Sequence, residues 1–187
     1  MSRVLKITEP DGLYFVTCTV VNWIDVFIRL EYRKIVIDSL AHCQAAKGLR
    51  LHAYVVMSNH LHMIISRGET ENTLSDILRD FKKFTSKQII EAIKIVPESR
   101  REWMLAQFSA AGKHNANNKQ YQFWQQDNHP VELRTVKFLE QKLHYVHQNP
   151  VRTGLVFQAE DYKFSSACVY RGKAWESLLE IDMLEWY

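Results

Sequence analysis

Residues 57–64 read MSNHLHMI, and the pattern around this stretch decides how the chain is expected to fold. One apolar run leads into it and a second follows it. Between the two runs, Ser58 and Asn59 are a polar pair of the kind that turns a hairpin. We therefore predict two adjacent antiparallel strands, residues 51–57 and 60–66, joined by a tight turn.

The second of these strands carries two histidines, His60 and His62, separated by one residue. Side chains alternate between the faces of a strand, so both imidazoles leave the same face. The opposite face takes the apolar side chains Leu61, Met63 and Ile65. Two imidazoles side by side are a plausible divalent-metal site. The alternative, and the commoner outcome for an isolated His-x-His, is a pair of partly exposed histidines that share no ligand.

The rest of the chain supplies the other elements of a ferredoxin-like unit. The hydrophobic pattern predicts a strand over 13–21 and a helix over 30–47 that is ended by Gly48. After the hairpin, it predicts a helix from the N-cap Thr73 to about Ile93 and a short strand over 121–125. A last helix over about 133–148 stops at Asn149-Pro150. We expect an α+β fold of order βαββαβ. Its antiparallel sheet carries two helices on one face, and a further C-terminal helix follows. Residues 97–120 give no readable pattern, apart from a polar, Asn-rich loop over 112–119.

Length and composition set broader limits. The 187 residues suit a single domain, with a core over about 13–150 and a C-terminal tail, 151–187, packed on it. The net charge of +3 and the aromatic content of 12% permit a nucleic-acid partner without requiring one. Three widely spaced cysteines fit a reducing cytoplasm better than a disulfide scaffold. We expect no signal peptide and no membrane span.

The predicted helix before Pro150 brings a second group of polar residues together. At about 100° per residue, its core stripe is formed by Val136, Leu139, Leu143 and Val146. Tyr145 falls on roughly the opposite side, and Asn149 lies one turn beyond it on the same side. A phenol and a carboxamide so placed can face one pocket, although Asn149 is also a natural helix cap before proline. His144 and His147 are possible extra metal ligands, but such residues are more often surface histidines.

These residues carry a resemblance to a known family. A His-x-His strand followed by a helix with a tyrosine, and an amide residue four positions later, resembles the single-tyrosine HUH endonucleases. More narrowly, MSNHLHMI (57–64) together with YVHQNPVRTGLV (145–156) resembles the REP-associated tyrosine transposases, relatives of the insertion sequence 200/605 transposases. The segments WQQ (124–126) and YKFSSA (162–167) are also similar to sequences of that family, so the resemblance spans about residues 13 to 170.

The resemblance implies an activity and a role for each site residue. It implies a ferredoxin-like catalytic domain that cleaves and rejoins single-stranded DNA at hairpin repeats through a 5′-phosphotyrosine. Tyr145 would be the nucleophile, and His60 and His62 would bind the metal. Asn149 stands where relatives carry a glutamine as third ligand, one methylene longer. Two neutral imidazoles and a carboxamide should hold Mg²⁺ weakly until DNA phosphate completes the shell, and Mn²⁺ better.

Binding of a single strand requires a basic path and aromatic rings on which bases stack. The candidates are Arg79, Lys82, Lys83, Lys87, Trp124, Lys142 and Arg152. Two other functions are compatible with the sequence: a domesticated relative that binds folded DNA or RNA without cutting it, and a metal hydrolase unrelated to DNA. The sequence also leaves open whether the site forms within one chain or in a homodimer that exchanges the tyrosine helix.

Overall fold

A computed structural model describes residues 7–113, 120–126 and 128–184 of the protein. The strands and helices are β1 (Tyr14–Thr19), α1 (Leu30–Lys47), β2 (Leu49–Val56), β3 (His60–Arg67), α2 (Leu74–Ile95), α3 (Arg101–Lys113), β4 (Val131–Glu132) and α4 (Val136–Arg152). Short 3₁₀ turns follow β1 and occur in the C-terminal segment. Among the described residues, no helix is both long and apolar enough to span a membrane.

The sheet is antiparallel, with strand order β2-β3-β1-β4. This is the strand order of a ferredoxin-like βαββαβ unit, so the predicted α+β fold is confirmed. The hairpin predicted from residues 57–64 supplies the edge strand β2 and the interior strand β3, which lies between β2 and β1. The register of β1 against β3 places Thr17 opposite His62 and Thr19 opposite His60.

The two faces of the sheet carry different layers. Leu61 and Met63 are fully buried on one face, which is covered by α1 and α2. Lys82 of α2 and Cys18, whose side chain belongs to that same face, both donate to the Asn128 side-chain oxygen. Helix α4 covers part of the opposite face, where it contacts β2 and β3. The two histidines therefore lie beneath the helix that carries Tyr145.

Local sequence signals set the helix boundaries. Gly48 ends α1 in the left-handed conformation with φ of 74°, a geometry that glycine adopts without strain. Thr73 caps α2, since its hydroxyl accepts from the Asp76 N–H while the Asp76 carboxylate accepts from the Thr73 N–H. Thr135 caps α4 in a similar way by accepting from the Phe138 N–H.

The fourth strand differs from the prediction. It is the two-residue strand Val131–Glu132, and residues 121–125 supply only the isolated bridge between Trp124 and Val20. Phe123 and Trp124 are both buried although they are consecutive, so the segment fills the core rather than alternating between faces. The part of the chain that gave no pattern contains α3. The predicted loop over 112–119 begins inside that helix, and residues 114–119 lie outside the described ones.

Helix α4 also has different ends from those predicted. It begins at Val136, after the Thr135 cap, and it continues through Pro150 to Arg152. The helix continues past Pro150 because the following N–H groups still find acceptors, as in the bond from Thr153 N–H to Asn149 O, although the proline itself has no N–H to donate to the preceding turn. Val136 is 49% exposed as the first residue of the helix, so it lies outside the core stripe that was predicted to include it.

The C-terminal segment packs on the core and covers the free edge of β2. Val56 N–H donates to Phe164 O, and Ser166 N–H donates to Tyr54 O. Further along, Asp182 N–H donates to Leu51 O. An uncovered edge strand invites pairing with another chain, and these bonds remove that possibility along much of β2.

Candidate active site

His60 and His62 lie next to each other on the α4 side of β3. Their ring centroids are 4.6 Å apart, with the rings nearly perpendicular. His62 is buried and its ring stacks on Phe15 of β1, at a centroid distance of 5.3 Å. His60 is half-buried. The structure therefore places both imidazoles on one face, as the strand period predicts.

Helix α4 brings Tyr145 to this pair. Its hydroxyl oxygen is 3.4 Å from His62 Nε2, and the two ring centroids are 5.2 Å apart. Leu139, Leu143 and Val146 are buried on the core stripe, and Tyr145 lies off that stripe. The phenol and both imidazoles of this arrangement belong to one chain.

Asn59 fixes which nitrogen of His60 carries the proton. The Asn59 side-chain amide donates to Trp23 O at 3.1 Å, which leaves its oxygen, Oδ1, facing His60. That oxygen is 2.7 Å from His60 Nδ1 and can only accept, so Nδ1 is the protonated nitrogen. His60 Nε2 then carries a free lone pair. Histidines that bind metals are usually held in this manner, with the other ring nitrogen donating to an oxygen.

Thr17 plays the corresponding part for His62. Its hydroxyl oxygen is 2.8 Å from His62 Nδ1, across the β1–β3 register. When Nδ1 donates to this hydroxyl, Nε2 presents its lone pair toward the Tyr145 side. The two histidines can then offer equivalent nitrogens, His60 Nε2 and His62 Nε2, from neighbouring rings.

Burial keeps both imidazoles neutral at physiological pH. It lowers the pKa of His60 from an ordinary 6.5 to about 4. It lowers the pKa of His62 further, to about 3, because the charges of His60 and Lys142 add to the effect of burial. Such a weak base is a poor acceptor for the phenolic proton of Tyr145 at neutral pH. A neutral imidazole is, however, the form that binds a metal, so this chemistry fits a ligand pair.

Asn149 is buried one turn beyond Tyr145, as the helical spacing predicts. Its side-chain amide nitrogen donates to Tyr145 O at 2.9 Å, which holds the carboxamide against its own helix. Among the described residues no hydrogen bond engages its Oδ1. No cluster of three or more His, Cys, Asp or Glu side chains that could hold a metal occurs in the described parts of the chain. A cation on the histidine pair would therefore complete its shell with Asn149, phosphate or water oxygens.

Two cations flank the tyrosine. Lys142 Nζ lies 4.6 Å from the Phe15 ring centroid and 5.6 Å from that of Tyr145. The Arg152 guanidinium carbon lies 5.6 Å from the Tyr145 centroid. Aromatic faces attract such cations. Positive charge therefore lies beside the Tyr145 ring.

The other predicted DNA contacts lie elsewhere. Arg79 is paired with Asp76 and Asp80, and Lys83 and Lys87 are exposed on α2, the helix across the sheet from the histidines. Lys82 has a structural role, since its ammonium group donates to Gln125 O and to Asn128 Oδ1, both at 2.6 Å.

Trp124 is a core residue. It is 4% exposed, and its indole N–H donates to the Thr85 hydroxyl on α2. Its ring packs against Phe27, Phe81 and Phe123. A base needs an open aromatic face for stacking, and the buried ring of Trp124 offers none. Trp124 is therefore not available as a stacking residue for DNA.

The histidines of α4 separate into two kinds. His144 is exposed. His147 is buried, and its Nε2 lies 2.9 Å from the Ser166 hydroxyl in the C-terminal segment. Burial lowers the pKa of His147 to about 4. Its side chain thus links α4 to the segment that covers β2, on a different side of the helix from Tyr145.

Sequence reasoning missed three residues that shape the site. Phe15 and Thr17 alternate along β1, and their spacing would have placed them on one face. Their partner on β3 follows only from the register of the strands. Asn59 was interpreted as a turn residue, and its bonds to His60 and Trp23 depend on the turn geometry.

Comparisons with known proteins give the fold a context. No protein-family model matches the chain, and no curated protein does either. The chain is similar to a solved structure of a REP-associated tyrosine transposase bound to a REP hairpin, with a TM-score of 0.61 and 21% identity over 98% of this chain and 92% of that one. A second structure, of a candidate transposase from Deinococcus radiodurans, has a TM-score of 0.43 and 14% identity over 80% and 97% of the two chains, and we draw nothing from it.

The first likeness establishes the fold. The chain has the α+β fold of a REP-associated tyrosine transposase, and the resemblance seen in the sequence is confirmed at this level. The alignment extends over nearly the whole length of both proteins.

Proposed function

We propose that this protein is a metal-dependent transposase that cleaves and rejoins single-stranded DNA at hairpin repeats through Tyr145. The observation that carries the proposal is the convergence of a phenol with two neutral imidazoles, with the Tyr145 oxygen 3.4 Å from His62 Nε2. The fold likeness to a REP-associated tyrosine transposase adds support, because that protein is bound to a hairpin, the class of partner proposed here.

The proposed reaction exchanges one phosphoester bond for another. The Tyr145 oxygen attacks phosphorus, a bond forms between them, and the bond from phosphorus to the 3′ oxygen breaks. The phenolic proton leaves to solvent, and the departing 3′ oxygen takes up a proton. The products are a 5′-phosphotyrosine and a free 3′-hydroxyl. Because the ester bond is conserved, a second 3′-hydroxyl can reverse the step and rejoin a strand without an external energy source.

The phosphodiester repels an incoming anion, and the site residues address this problem. A phenol with an ordinary pKa near 10 is mostly protonated at neutral pH, so the attack also requires loss of the phenolic proton. Lys142 and Arg152 lie beside the Tyr145 ring, where their positive charges attract the approaching phosphate. A divalent cation bound by His60 and His62 would supply Lewis-acid polarisation of a phosphate oxygen.

The donor set favours weak metal binding in the absence of DNA. His60 and His62 are neutral, and Asn149 would add a neutral oxygen, so no negative charge compensates the cation. We expect Mn²⁺ to support the reaction better than Mg²⁺, because imidazole is a better ligand for Mn²⁺. Phosphate oxygens of the bound strand would add the missing charge.

The test is capture of the covalent product. The protein is incubated with single-stranded hairpin repeats from its own genome and either Mn²⁺ or Mg²⁺, with the label on the fragment 3′ of the scissile phosphate. A denaturing protein gel should show a metal-dependent shifted band. The band should be absent from Tyr145→Phe and His60→Ala and retained in Tyr121→Phe, a control in which the replaced tyrosine lies beside Lys94.

Two outcomes would contradict the proposal. Tight hairpin binding with no covalent band under either metal would favour the non-cleaving binder. Metal-dependent hydrolysis with no preference for single-stranded DNA would favour the unrelated hydrolase.

A further inference from the structure

The short turn after β1 holds an exposed tryptophan beside the candidate site. Trp23 is 60% exposed, whereas the apolar residues around it, Val20, Val21, Ile24 and Val26, are all buried. Its indole ring meets the ring of His60 edge-on, with the centroids 6.0 Å apart. The largest apolar side chain of this turn is therefore the one that faces solvent, next to a proposed metal ligand.

The backbone of this turn is held in an unusual conformation. Trp23 has a φ of 55°, and Asn22 before it has a φ of 54°. Asparagine adopts this left-handed region readily, but a bulky aromatic residue rarely does. Such strain persists only where surrounding contacts enforce it, and it concentrates at functional sites. Here the contacts include two side-chain hydrogen bonds, from the Asn59 amide to Trp23 O and from the Asn22 amide to Gln107 of α3, and the backbone bond from Trp23 N–H to Val20 O.

One residue joins this turn to the histidine pair. Asn59 donates to the Trp23 carbonyl and accepts from His60 Nδ1. The backbone of Trp23 is thereby held beside His60, and the indole ring contacts the imidazole edge-on. A rigidly presented aromatic face next to a reactive centre suits the stacking of a nucleobase, which every base allows because each has a π-face.

From this geometry we infer that Trp23 stacks on a base of the nucleotides that flank the scissile phosphate. The inference rests on the proposed function and adds the residue that positions the single strand. The two bases that flank a phosphate belong to the nucleotides directly joined to it. A ring 6.0 Å from the His60 ring is therefore within reach of the base on either side of a phosphate bound at the histidines.

The inference is tested by pairing protein variants with modified DNA. Trp23→Ala, Trp23→Phe and the control Trp175→Ala are each titrated by fluorescence anisotropy with a hairpin oligonucleotide, in which every base near the cleavage point is removed in turn. Trp175 is 79% exposed, and its ring forms no contact with His60 among the described residues. The same variants are assayed for the covalent product.

Loss of stacking should weaken binding by about 5- to 150-fold in Trp23→Ala. Trp23→Phe should retain most of the affinity, and Trp175→Ala should bind like the wild type. One abasic position should weaken the wild type by a similar factor and have little further effect on Trp23→Ala. That non-additivity identifies the stacked base.

A further variant separates binding from folding. Glycine adopts a φ of 55° without strain, so Trp23→Gly should melt at a higher temperature than Trp23→Ala while binding the hairpin as weakly. If Trp23→Ala binds and cleaves like the wild type, the stacking role is wrong and the proposed function stands. If the wild type binds without cleaving, the proposed function is wrong, and the anisotropy data still decide whether Trp23 contacts a base.

Discussion

The hydrogen bond between Thr17 and His62 offers a sharp test of the proposed metal site. Binding of a cation at His62 Nε2 requires the proton to sit on Nδ1, which lies 2.8 Å from the Thr17 hydroxyl. Thr17→Val keeps the shape of the side chain and removes that oxygen. The buried imidazole is then free to take the other tautomer, with Nε2–H directed at the Tyr145 oxygen 3.4 Å away.

The size of the effect follows from the burial of this bond. A net hydrogen bond contributes about 0.5–1.5 kcal/mol, and leaving a buried N–H unsatisfied costs about 1–3 kcal/mol. His62 is 5% exposed, so water cannot readily replace the lost oxygen and the larger range applies. We therefore expect the affinity for Mn²⁺ to fall by about 10- to 100-fold, which is the usual effect of removing a group that orients a metal ligand.

The assay is Mn²⁺ titration of the protein–hairpin complex, followed by its electron paramagnetic resonance signal and by the rate of covalent product formation. Thr17→Ser restores the hydroxyl and should recover most of the affinity. Saturating Mn²⁺ should restore much of the rate to Thr17→Val. Equal Mn²⁺ affinity in the wild type and Thr17→Val would refute the idea that this bond selects the tautomer of His62.

Two further predictions concern charge. Lys142→Met should reduce the slope of the logarithm of hairpin affinity against the logarithm of salt concentration by about 0.7, the contribution of one phosphate contact to a single strand. Lys83→Met, on the far side of the sheet, should leave the slope unchanged, and equal slopes in both variants would contradict this placement of the DNA. His147 has a pKa of about 4 in the folded protein against an ordinary 6.5, so its contribution to stability is complete above pH 6.5 and is lost as the pH falls toward 4. In urea denaturation, the free energy of unfolding of His147→Gln, which cannot titrate, should fall by about 3 kcal/mol less than that of the wild type over that interval. Equal pH profiles of the two proteins would contradict the burial of a neutral imidazole.

The β2–β3 hairpin and the ends of α1 and α2 could be predicted because their signals are local. Gly48 ends α1, and Thr73 begins α2 through a capping box; both are properties of a few adjacent residues. Strand β4 could not be found in the same way. It consists of only two residues, and it exists because Val131 and Glu132 pair with β1, a contact that no local pattern records.

Tertiary packing overrode local pattern in the segment before β4. The alternating polar and aromatic residues over 121–125 are typical of a strand, yet Phe123 and Trp124 both enter the core against Phe27. Helix α3 buries little besides Met104 and Phe108, a stripe too narrow to stand out in the sequence. In such segments the residues that are close in space determine the structure, and these contacts cannot be predicted from the local sequence.

In the candidate site too, local features could be predicted from the sequence and tertiary contacts could not. The strand period and the helical spacing predicted that His60 and His62 would share a face and that Tyr145 would lie off the core stripe. That these two groups meet on one side of the sheet depends on where α4 packs. The basic residues of α2 were candidates for DNA contact, but the helix lies on the other side of the sheet from the histidines. The sequence of an exposed helical face does not indicate on which side of the sheet the helix packs.

The most direct test of the central claim is to locate the DNA linkage on the protein. After reaction with a hairpin oligonucleotide, nuclease trimming and trypsin digestion, mass spectrometry should find the peptide of residues 143–152, whose single tyrosine is Tyr145, carrying a nucleotide mass through phosphate. The account predicts this adduct with Mn²⁺ present and its absence after chelation. An adduct on another tyrosine, or cleaved DNA with no protein-linked nucleotide, would contradict it.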